Sequence, residues 1–544
     1  MGSRLTDANN AASEIHFEYD TLNRVDNTTQ TLNANSYTLD YDYFKNGQLK
    51  TLTYPSNKVV EYDYDNNNRL ETVTVDSTLL ATYAYDALDR RTTKTFDLTN
   101  DLQADYDFDY LNQLTKIANV KLPSTNISTY EYTVYDKVSN RTQLERTIGA
   151  GTPDVLDYAY NDIYELTQEK LNSSITHSYD YDNVGNRDVV DSVTFTPNNL
   201  NQYTQVGSTT YLYDGNGNLT YDGTNTYAYD AQNRLSTVTT TSTTTTYFYD
   251  AFNRRVKKDV GGTETYFVHD NDEVIAEYDD TDVLLAEYVH GDAIDEVLTM
   301  ERNSNTYYYF YDGLGSVTEI TNSSGTVQES YTYDPYGTPS VINSTIGNPF
   351  RFTGREFDEE SGIYGYRARM YDPAIGRFLQ RDPYTWGADD PRILFRGNEE
   401  AAGLSNVGNN STTTRNGIVA GFQMLPISIA EPNSFNLEIS STQFQLSEKH
   451  LNGLMQEAGT ILPQLKQPYT YVFNNPINFK DPSGRIIYID RDEHGNWIII
   501  LFESPQTPFI MTPDWQLYFC SPLGCHKLSG PDEPEPSFCP AGAI

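Results

Sequence analysis

Two kinds of side chain in this sequence could do chemistry: carboxylates set before proline, and a late group of thiols with one imidazole. Asp-Pro dipeptides include those at Asp334, Asp372, Asp382 and Asp481. Two such acids, if the fold brought them together, could hydrolyse a peptide bond. One, ionised, takes a proton from water while the other, protonated, polarises the carbonyl. Close approach produces that asymmetry, because two carboxylates sharing a site cannot both ionise and so titrate as a unit. On the residues alone, however, Asp-Pro is first of all a turn start. Cys520, Cys525, His526 and Cys539 are ligand types that zinc favours. Their spacing is not that of a standard zinc site, and free thiols or a disulfide are simpler readings. Asp180, Asp182, Gly185 and Asp191 fall at EF-hand-like offsets. Val184 stands at a ligand position and the closing Glu is missing, so strand plus turn is the preferred reading there. None of the seven histidines has a triad-like context, and every thiol lies beyond residue 519. Neither cysteine-based catalysis nor any cofactor is expected.

These residues must be positioned by a chain of 544 residues with 37 basic and 76 acidic side chains, a net charge of −39. Such a field repels phosphate backbones, which bind by being neutralised with Lys and Arg, so no nucleic-acid partner is expected for the body. Anionic membrane surfaces are disfavoured for the same reason. The opening Met1-Gly2-Ser3-Arg4-Leu5 runs into polar sequence without an apolar core, so residues 1–14 read as a short leader rather than a signal peptide. The longest apolar stretch, Ile418 to Ala430, holds Gln423 and Pro426 and is too short to span a bilayer. A soluble fragment is expected. Without cysteine before position 520, burial and backbone pairing must hold the body together.

The pattern that can do so is a repeat. Tyr62-Asp63-Tyr64-Asp65 leads through three asparagines to Arg69-Leu70, and Tyr83-Ala84-Tyr85-Asp86 leads to Asp89-Arg90-Arg91. The pattern returns at Tyr179-Asp180-Tyr181-Asp182, Tyr211-Leu212-Tyr213-Asp214, Tyr227-Ala228-Tyr229-Asp230 and Tyr247-Phe248-Tyr249-Asp250. Tyrosines two apart share one face of a strand. The Asp ends that strand and can accept hydrogen bonds from its own following backbone. The Asn or Gly that follows tolerates positive φ and reverses the chain. Thr- and Val-rich stretches such as Leu235-Ser236-Thr237-Val238-Thr239 then supply the return strand. Each unit is a hairpin that cannot bury its tyrosines alone and must stack on its neighbours. The expected fold is all-β: a spiralling antiparallel sheet forming a wall with water on each side. The tyrosine strips are read as packing between coils in preference to sugar-stacking platforms.

Arrays of Tyr-x-Tyr-Asp followed by Asn or Gly and Arg or Leu resemble the YD repeats of bacterial Rhs proteins, Tc toxin C components and teneurins. Tyr311-Asp312-Gly313-Leu314-Gly315-Ser316-Val317 and Tyr331-Thr332-Tyr333-Asp334-Pro335-Tyr336-Gly337 look like closing repeats. Phe352-Thr353-Gly354-Arg355-Glu356-Phe357-Asp358, Tyr366-Arg367-Ala368-Arg369, Tyr371-Asp372-Pro373 and Gly376-Arg377-Phe378 through Arg381-Asp382-Pro383 resemble the Rhs-associated core. Its end resembles Asn474-Asn475-Pro476-Ile477-Asn478-Phe479-Lys480-Asp481-Pro482-Ser483-Gly484. The resemblance covers most of residues 15–382 and 468–485. It implies a YD-repeat β-shell over 15–345, wound into a hollow cocoon, and a core over 346–485 that closes one end. It also implies a tail over 486–544, cargo or its remnant, that lies inside.

In the toxin branches the core is an aspartyl autoprotease, so Asp382 and Asp481 match the catalytic pair and Arg381 the supporting arginine. The implied cut falls at Gly484, Arg485 and Ile486, with Arg485 standing where the family usually has leucine. Tethering of the scissile bond beside Asp481 would replace substrate binding, and one turnover would suffice. The implied partners are the chain's own C-terminal segment, plus N-terminal delivery domains or secretion-system components outside this sequence. A secreted or surface-delivered location follows from the same likeness. A non-enzymatic, teneurin-like shell acting in surface recognition or adhesion is the alternative.

Residues 384–467 look inserted, because the family usually joins its two acids by a shorter link; Ser447 to Leu465 reads as one capped helix. In the tail, Ile486-Ile487-Tyr488-Ile489 and Trp497-Ile498-Ile499-Ile500-Leu501-Phe502 read as a hairpin. The stretch Pro531-Asp532-Glu533-Pro534-Glu535-Pro536 reads as disordered. Only Arg491 and Lys527 oppose the tail's acids, which argues against a nuclease.

Overall fold

The computed structural model describes residues 4–97, 101–342, 345–382 and most of 469–481, and beyond these only eight short strands between 428 and 527. The chain divides into two units, residues 1–381 with 467–484, and residues 382–466 with 485–544.

Within each sheet of the first unit, every strand pairs antiparallel with the next in sequence. Twenty strands, from Asp7–Asn9 to Thr209–Thr210, make one sheet, and fourteen, from Leu212–Tyr213 to Pro339–Ile342, make a second. The repeat unit is a hairpin closed by its aspartate. In the turn after Val59–Tyr64, Asp65 Oδ1 accepts the backbone N–H groups of Asn67 and Arg69 at 2.8 and 3.0 Å. Asn68 takes φ 63°, as the reversal requires. Arg69 donates from Nε to Asp65 Oδ2 at 2.8 Å and lies 4.6 Å from the ring of Tyr85 in the next repeat. The second tyrosine of the unit ties hairpin to hairpin, because its hydroxyl donates to the first carbonyl of the preceding return strand. Tyr85 to Leu70, Tyr181 to Leu166, Tyr249 to Leu235 and Tyr333 to Val317 all repeat this bond at 2.6 to 2.8 Å.

The two sheets lie face to face. Leu39, Leu52, Val60, Val73 and Phe96 of the first pack with Val268, Ile275, Val289, Leu298 and Phe310 of the second. The polar contacts between them advance together. Asn10 meets Tyr249, Gln30 meets His269, Tyr54 meets Tyr288 and Tyr181 meets Tyr336. Such ordered pairing is that of a spiral whose later coil lies against the earlier one. It corrects the expectation of water on both faces of the wall. Strands of the first sheet alternate buried and open positions, whereas Glu273–Asp279 of the second buries Val274, Ile275, Ala276, Glu277 and Tyr278 in succession. The coil's other face carries Tyr288, Met300, Tyr309, Ile320 and Phe350 in a separate core.

A four-stranded sheet follows, made of Glu356–Asp358, Ile363–Tyr366, Arg369–Asp372 and Arg377–Phe378. In the second unit, Tyr488–Arg491 pairs with Trp497–Ile500, a hairpin within the tail as the sequence indicates. Three strands between Ser428 and Gln445 form a separate sheet inside the inserted stretch. The expected helix from Ser447 to Leu465 and the expected disorder from Pro531 to Pro536 lie outside the described residues.

Candidate functional site

The described residues between 469 and 481 are held by asparagines bonded to the turns of three hairpins, two by Asn474 and one shared by Asn475 and Asn478. Asn474 Nδ2 donates to Gly185 O at 2.8 Å and to Glu165 Oε1 at 3.1 Å. Asn475 Nδ2 reaches Asn140 Oδ1 at 3.1 Å, and Asn478 Oδ1 accepts the N–H of Arg141 at 2.8 Å. Tyr469 donates to Gly217 O at 2.7 Å. The asparagines of Asn474-Asn475-Pro476-Ile477-Asn478 thus fix the path that leads to Lys480 and Asp481. Burial pushes the Lys480 ammonium below its usual range, against the favourable charges of Asp295, Asp312 and Glu296.

Asp481 is 8% exposed, and its Oδ2 lies 3.5 Å from Nη2 of Arg369. Arg369, 1% exposed, opens the strand Arg369–Asp372, and its guanidinium stacks 3.6 Å from the ring centre of Phe378. Phe378 belongs to an aromatic cluster with Phe352, Tyr364, Tyr366, Tyr371 and Tyr471. A hydroxyl chain runs through it: Tyr471 to Tyr366 at 3.0 Å and Tyr366 to Thr353 at 2.7 Å. Burial chiefly holds both phenols protonated, and the charge of Asp481 adds to it. The sequence reading did not single out Arg369. In Tyr366-Arg367-Ala368-Arg369 it follows the turn between two short strands, and no local pattern there marks its distant partner.

The Asp-Pro acids at Asp334, Asp372, Asp382 and Asp481 differ in surroundings. Asp334 Oδ1 accepts the N–H groups of Tyr336 and Thr338, and Asp372 Oδ1 accepts that of Ala374, the geometry of turn starters. Burial, helped by the charge of Asp222, pushes the Asp372 carboxyl up to about 7. Asp382 is 5% exposed and Asp481 faces the Arg369 guanidinium. Arg381 is itself exposed, and its methylenes cover Gly217, whose φ of 90° and lack of a Cβ admit them. The guanidinium at Asp481 is therefore that of Arg369. Gly484, Arg485 and Ile486 lie outside the described residues.

The remaining metal-type residues of the sequence reading are accounted for in part. Asp182 Oδ1 accepts the N–H groups of Val184 and Asn186, and its Oδ2 accepts Asn186 Nδ2, the same turn as in other repeats. Asp191 pairs with His177 and caps Ser178. Cys520 and Cys525 are backbone register partners, and His526 stands opposite Phe519. Cys539 lies outside the described residues. Among the described residues, no cluster of His, Cys, Asp and Glu could hold a metal ion, and no helix is long and apolar enough to cross a membrane.

An antiparallel meander of tyrosine-aspartate hairpins that coils upon itself and carries a core strand at its end defines a YD shell. The Teneurin YD-shell family model matches residues 96–393, more than half of the chain, and the chain belongs to that family. The tRNA3(Ser)-specific nuclease WapA of Bacillus spizizenii is 28% identical over 240 residues, 41% of this chain and 10% of that protein. Salivary gland surface protein 1 of Aedes aegypti is 45% identical over 101 residues, 18% of this chain and 3% of that protein. Among solved structures, the complex TcdB2-TccC3-Cdc42 shares the fold with a TM-score of 0.64 at 15% identity, over 87% of this chain and 24% of that one. The chain thus spans a tenth or less of these two relatives' length and about a quarter of the solved shell.

Proposed function

We propose that this shell encloses its own C-terminal polypeptide and frees it by intramolecular cleavage just after Asp481-Pro482-Ser483-Gly484, with Asp382 and Asp481 as the catalytic acids. The observation that carries the reading is the burial of Asp481 against an arginine. A segment anchored asparagine by asparagine to the shell delivers that acid immediately before the bonds at Gly484, Arg485 and Ile486. A buried carboxylate without a cation would be neutral; one beside a guanidinium keeps its charge and can act as base. Of the two buried acids, the ionised one takes the proton from water and the other, protonated, polarises the scissile carbonyl. Water adds to that carbonyl as the base takes its proton, and the tetrahedral species collapses when the leaving amine is protonated. Because substrate and site are one chain, effective concentration replaces affinity. Arg381, adjacent to Asp382, would support it from the solvent side. The freed tail would stay inside the shell, and the whole assembly would be secreted or delivered with partners outside this sequence, as the likeness to Tc toxin shells supports.

Intact mass of the expressed chain tests this. The expected products are a body ending near Arg485 and a tail beginning near Ile486, co-purifying in native buffer and separating in denaturant. Asp382→Asn and Asp481→Asn should each leave a single full-length species. Continued cutting in both variants would remove the acids from the reaction. An uncut wild-type chain would leave the surface-recognition shell as the better reading.

A further inference from the structure

We infer that four consecutive turns of the shell form a recognition seat for its closing segment, with Asn140, Glu165, Asn186 and Gln202 as the residues that select it. The seat goes beyond the cleavage reading and stands whether or not the chain is cut. Its outline is a break in the repeat. Where a turn starts with Asp20, Asp65, Asp86, Asp230 or Asp250, the residue four positions on is Arg24, Arg69, Arg90, Arg234 or Arg254. Each of these arginines clasps its own aspartate. Each also donates from Nη1 to the carbonyl of the residue that opens the next turn, at 2.6 to 3.3 Å. The long side chain thereby fills the gap between neighbouring turns. The four turns that start at Asp136, Asn161, Asp182 and Asn198 lack it. Asn140 and Asn186 keep the clasp, donating from Nδ2 to Asp136 and Asp182 at 2.8 and 2.7 Å. In the other two the clasp runs backwards, because the starters are amides. Asn161 donates to Glu165 at 2.6 Å and Asn198 to Gln202 at 2.7 Å.

The core and its closing segment take the space that the arginines fill elsewhere. Asn140 Oδ1 accepts Nδ2 of Asn475 at 3.1 Å and of Asn478 at 3.4 Å, and Glu165 Oε1 accepts Asn474 Nδ2 at 3.1 Å. Asn186 Oδ1 accepts Arg377 Nη2 at 2.6 Å, and Gln202 Nε2 donates to the Tyr469 hydroxyl at 3.1 Å. All four shell residues are buried, so water does not readily replace a partner that is withheld. The segment also packs Tyr471 and Ile477 into aromatic clusters. Apolar packing is non-directional, whereas each amide needs its partner at hydrogen-bond distance. The seat therefore fits a segment that offers a phenol and then carboxamides in the order of Tyr469, Asn474, Asn475 and Asn478. It disfavours one that leaves those buried polar groups unmatched.

The test moves the common turn into the seat of the full chain. Asn140→Arg and Asn186→Arg recreate the aspartate–arginine pair that other turns carry, so their own hairpins should hold while the arginine fills the seat. Gln113→Arg does the same at Asp109, a turn outside the seat. Asn475→Ala alters the segment and leaves the shell as it is. Hydrogen exchange is read at the backbone amides of positions 474 and 475, which donate to Tyr471 O and Val472 O at 3.0 Å. It is read as well along the strands that flank the two altered turns. Asn140→Arg, Asn186→Arg and Asn475→Ala are expected to speed exchange at positions 474 and 475 at least about tenfold, with the flanking strands unchanged. Gln113→Arg is expected to match wild type. Should an arginine variant open its own hairpin, Asn475→Ala decides alone. Wild-type exchange in Asn475→Ala, or in both arginine variants, overturns the seat and leaves apolar packing as what holds the segment. So does release of the segment by Gln113→Arg as strong as that by Asn140→Arg. Cleavage is not the readout, so an uncut wild-type chain would sink the self-cleavage reading and leave this result standing.

Discussion

At the residue scale, the aspartate that ends each tyrosine pair is a turn clasp, and the repeat shows how much it carries. In the turn after Thr244–Tyr249, Asp250 is fully buried. Its Oδ1 accepts the N–H groups of Phe252 and Arg254, and its Oδ2 accepts Arg254 Nε at 2.6 Å. Removing the carboxylate would orphan two backbone donors and leave Arg254 without its anion at a position only 12% exposed. Asp250→Ala should therefore cost about 2–4 kcal/mol, where a lone surface ion pair is worth at most about 1 kcal/mol. Amide exchange at Phe252 and Arg254 would report it, since local opening is better defined than global unfolding in a chain this long. Unchanged protection there would mean that strand pairing alone sets the turn. The clasp was legible from sequence because it needs only an acceptor, two N–H groups and a residue tolerant of positive φ, all within five positions. Arg369 was not legible in the same way. Its importance comes from a carboxylate more than a hundred positions later, and no local pattern marks that contact.

At the element scale, the strands meet across the seam between coils through buried polar groups. Glu319, on Val317–Asn322 of the second sheet, accepts hydrogen bonds from Ser128 and Tyr130 on Thr125–Tyr135 of the first. Burial pushes its carboxyl up to about 7, with those bonds and that of Thr318 opposing the shift and Asp312 adding to it. The sign follows. A carboxyl raised in the folded state holds its proton more tightly there than in the unfolded chain. Its contribution is whole at acidic pH and is lost as the pH rises through about 7. Shell stability should fall between about pH 4.5 and about pH 7 by an amount on the order of 3 kcal/mol from this group. Glu319→Gln should remove that part of the dependence. Denaturation midpoints for both chains across that range would check it, with Asp372 supplying a common background that cancels in the comparison. Hairpins, turn residues and tyrosine faces could be read from the repeat, whereas which coil covers which could not. Strand period sets the face a side chain takes but says nothing of what lies opposite, so the reading of a wall wetted on both sides failed at that step.

At the scale of the whole molecule, the first sheet depends on the second although all its strands precede it. Leu32, Leu39, Leu52, Val60, Val73 and Phe96 line one face of the first sheet, and residues from Tyr266 to Phe310 cover them. The covering strands lie more than two hundred positions later for most of that face, as in the bonds from Gln30 to His269 and from Tyr54 to Tyr288. Hairpins can form locally, but the apolar face waits for distant chain before it leaves water, a slow and exposed route. A chain stopped after Thr210 contains all twenty strands of the first sheet and every hairpin bond within it. If local pairing were enough, that fragment would be a soluble, monodisperse β-protein. The packing says otherwise: an apolar strip of this length, left open, is far larger than a monomer in water ordinarily tolerates. The fragment should aggregate on size-exclusion chromatography or bind a hydrophobic dye strongly, and the chain extended through Asp481 should do neither. A well-behaved Thr210 fragment would show that the strands carry their own stability, and that the second coil contributes enclosure rather than the core.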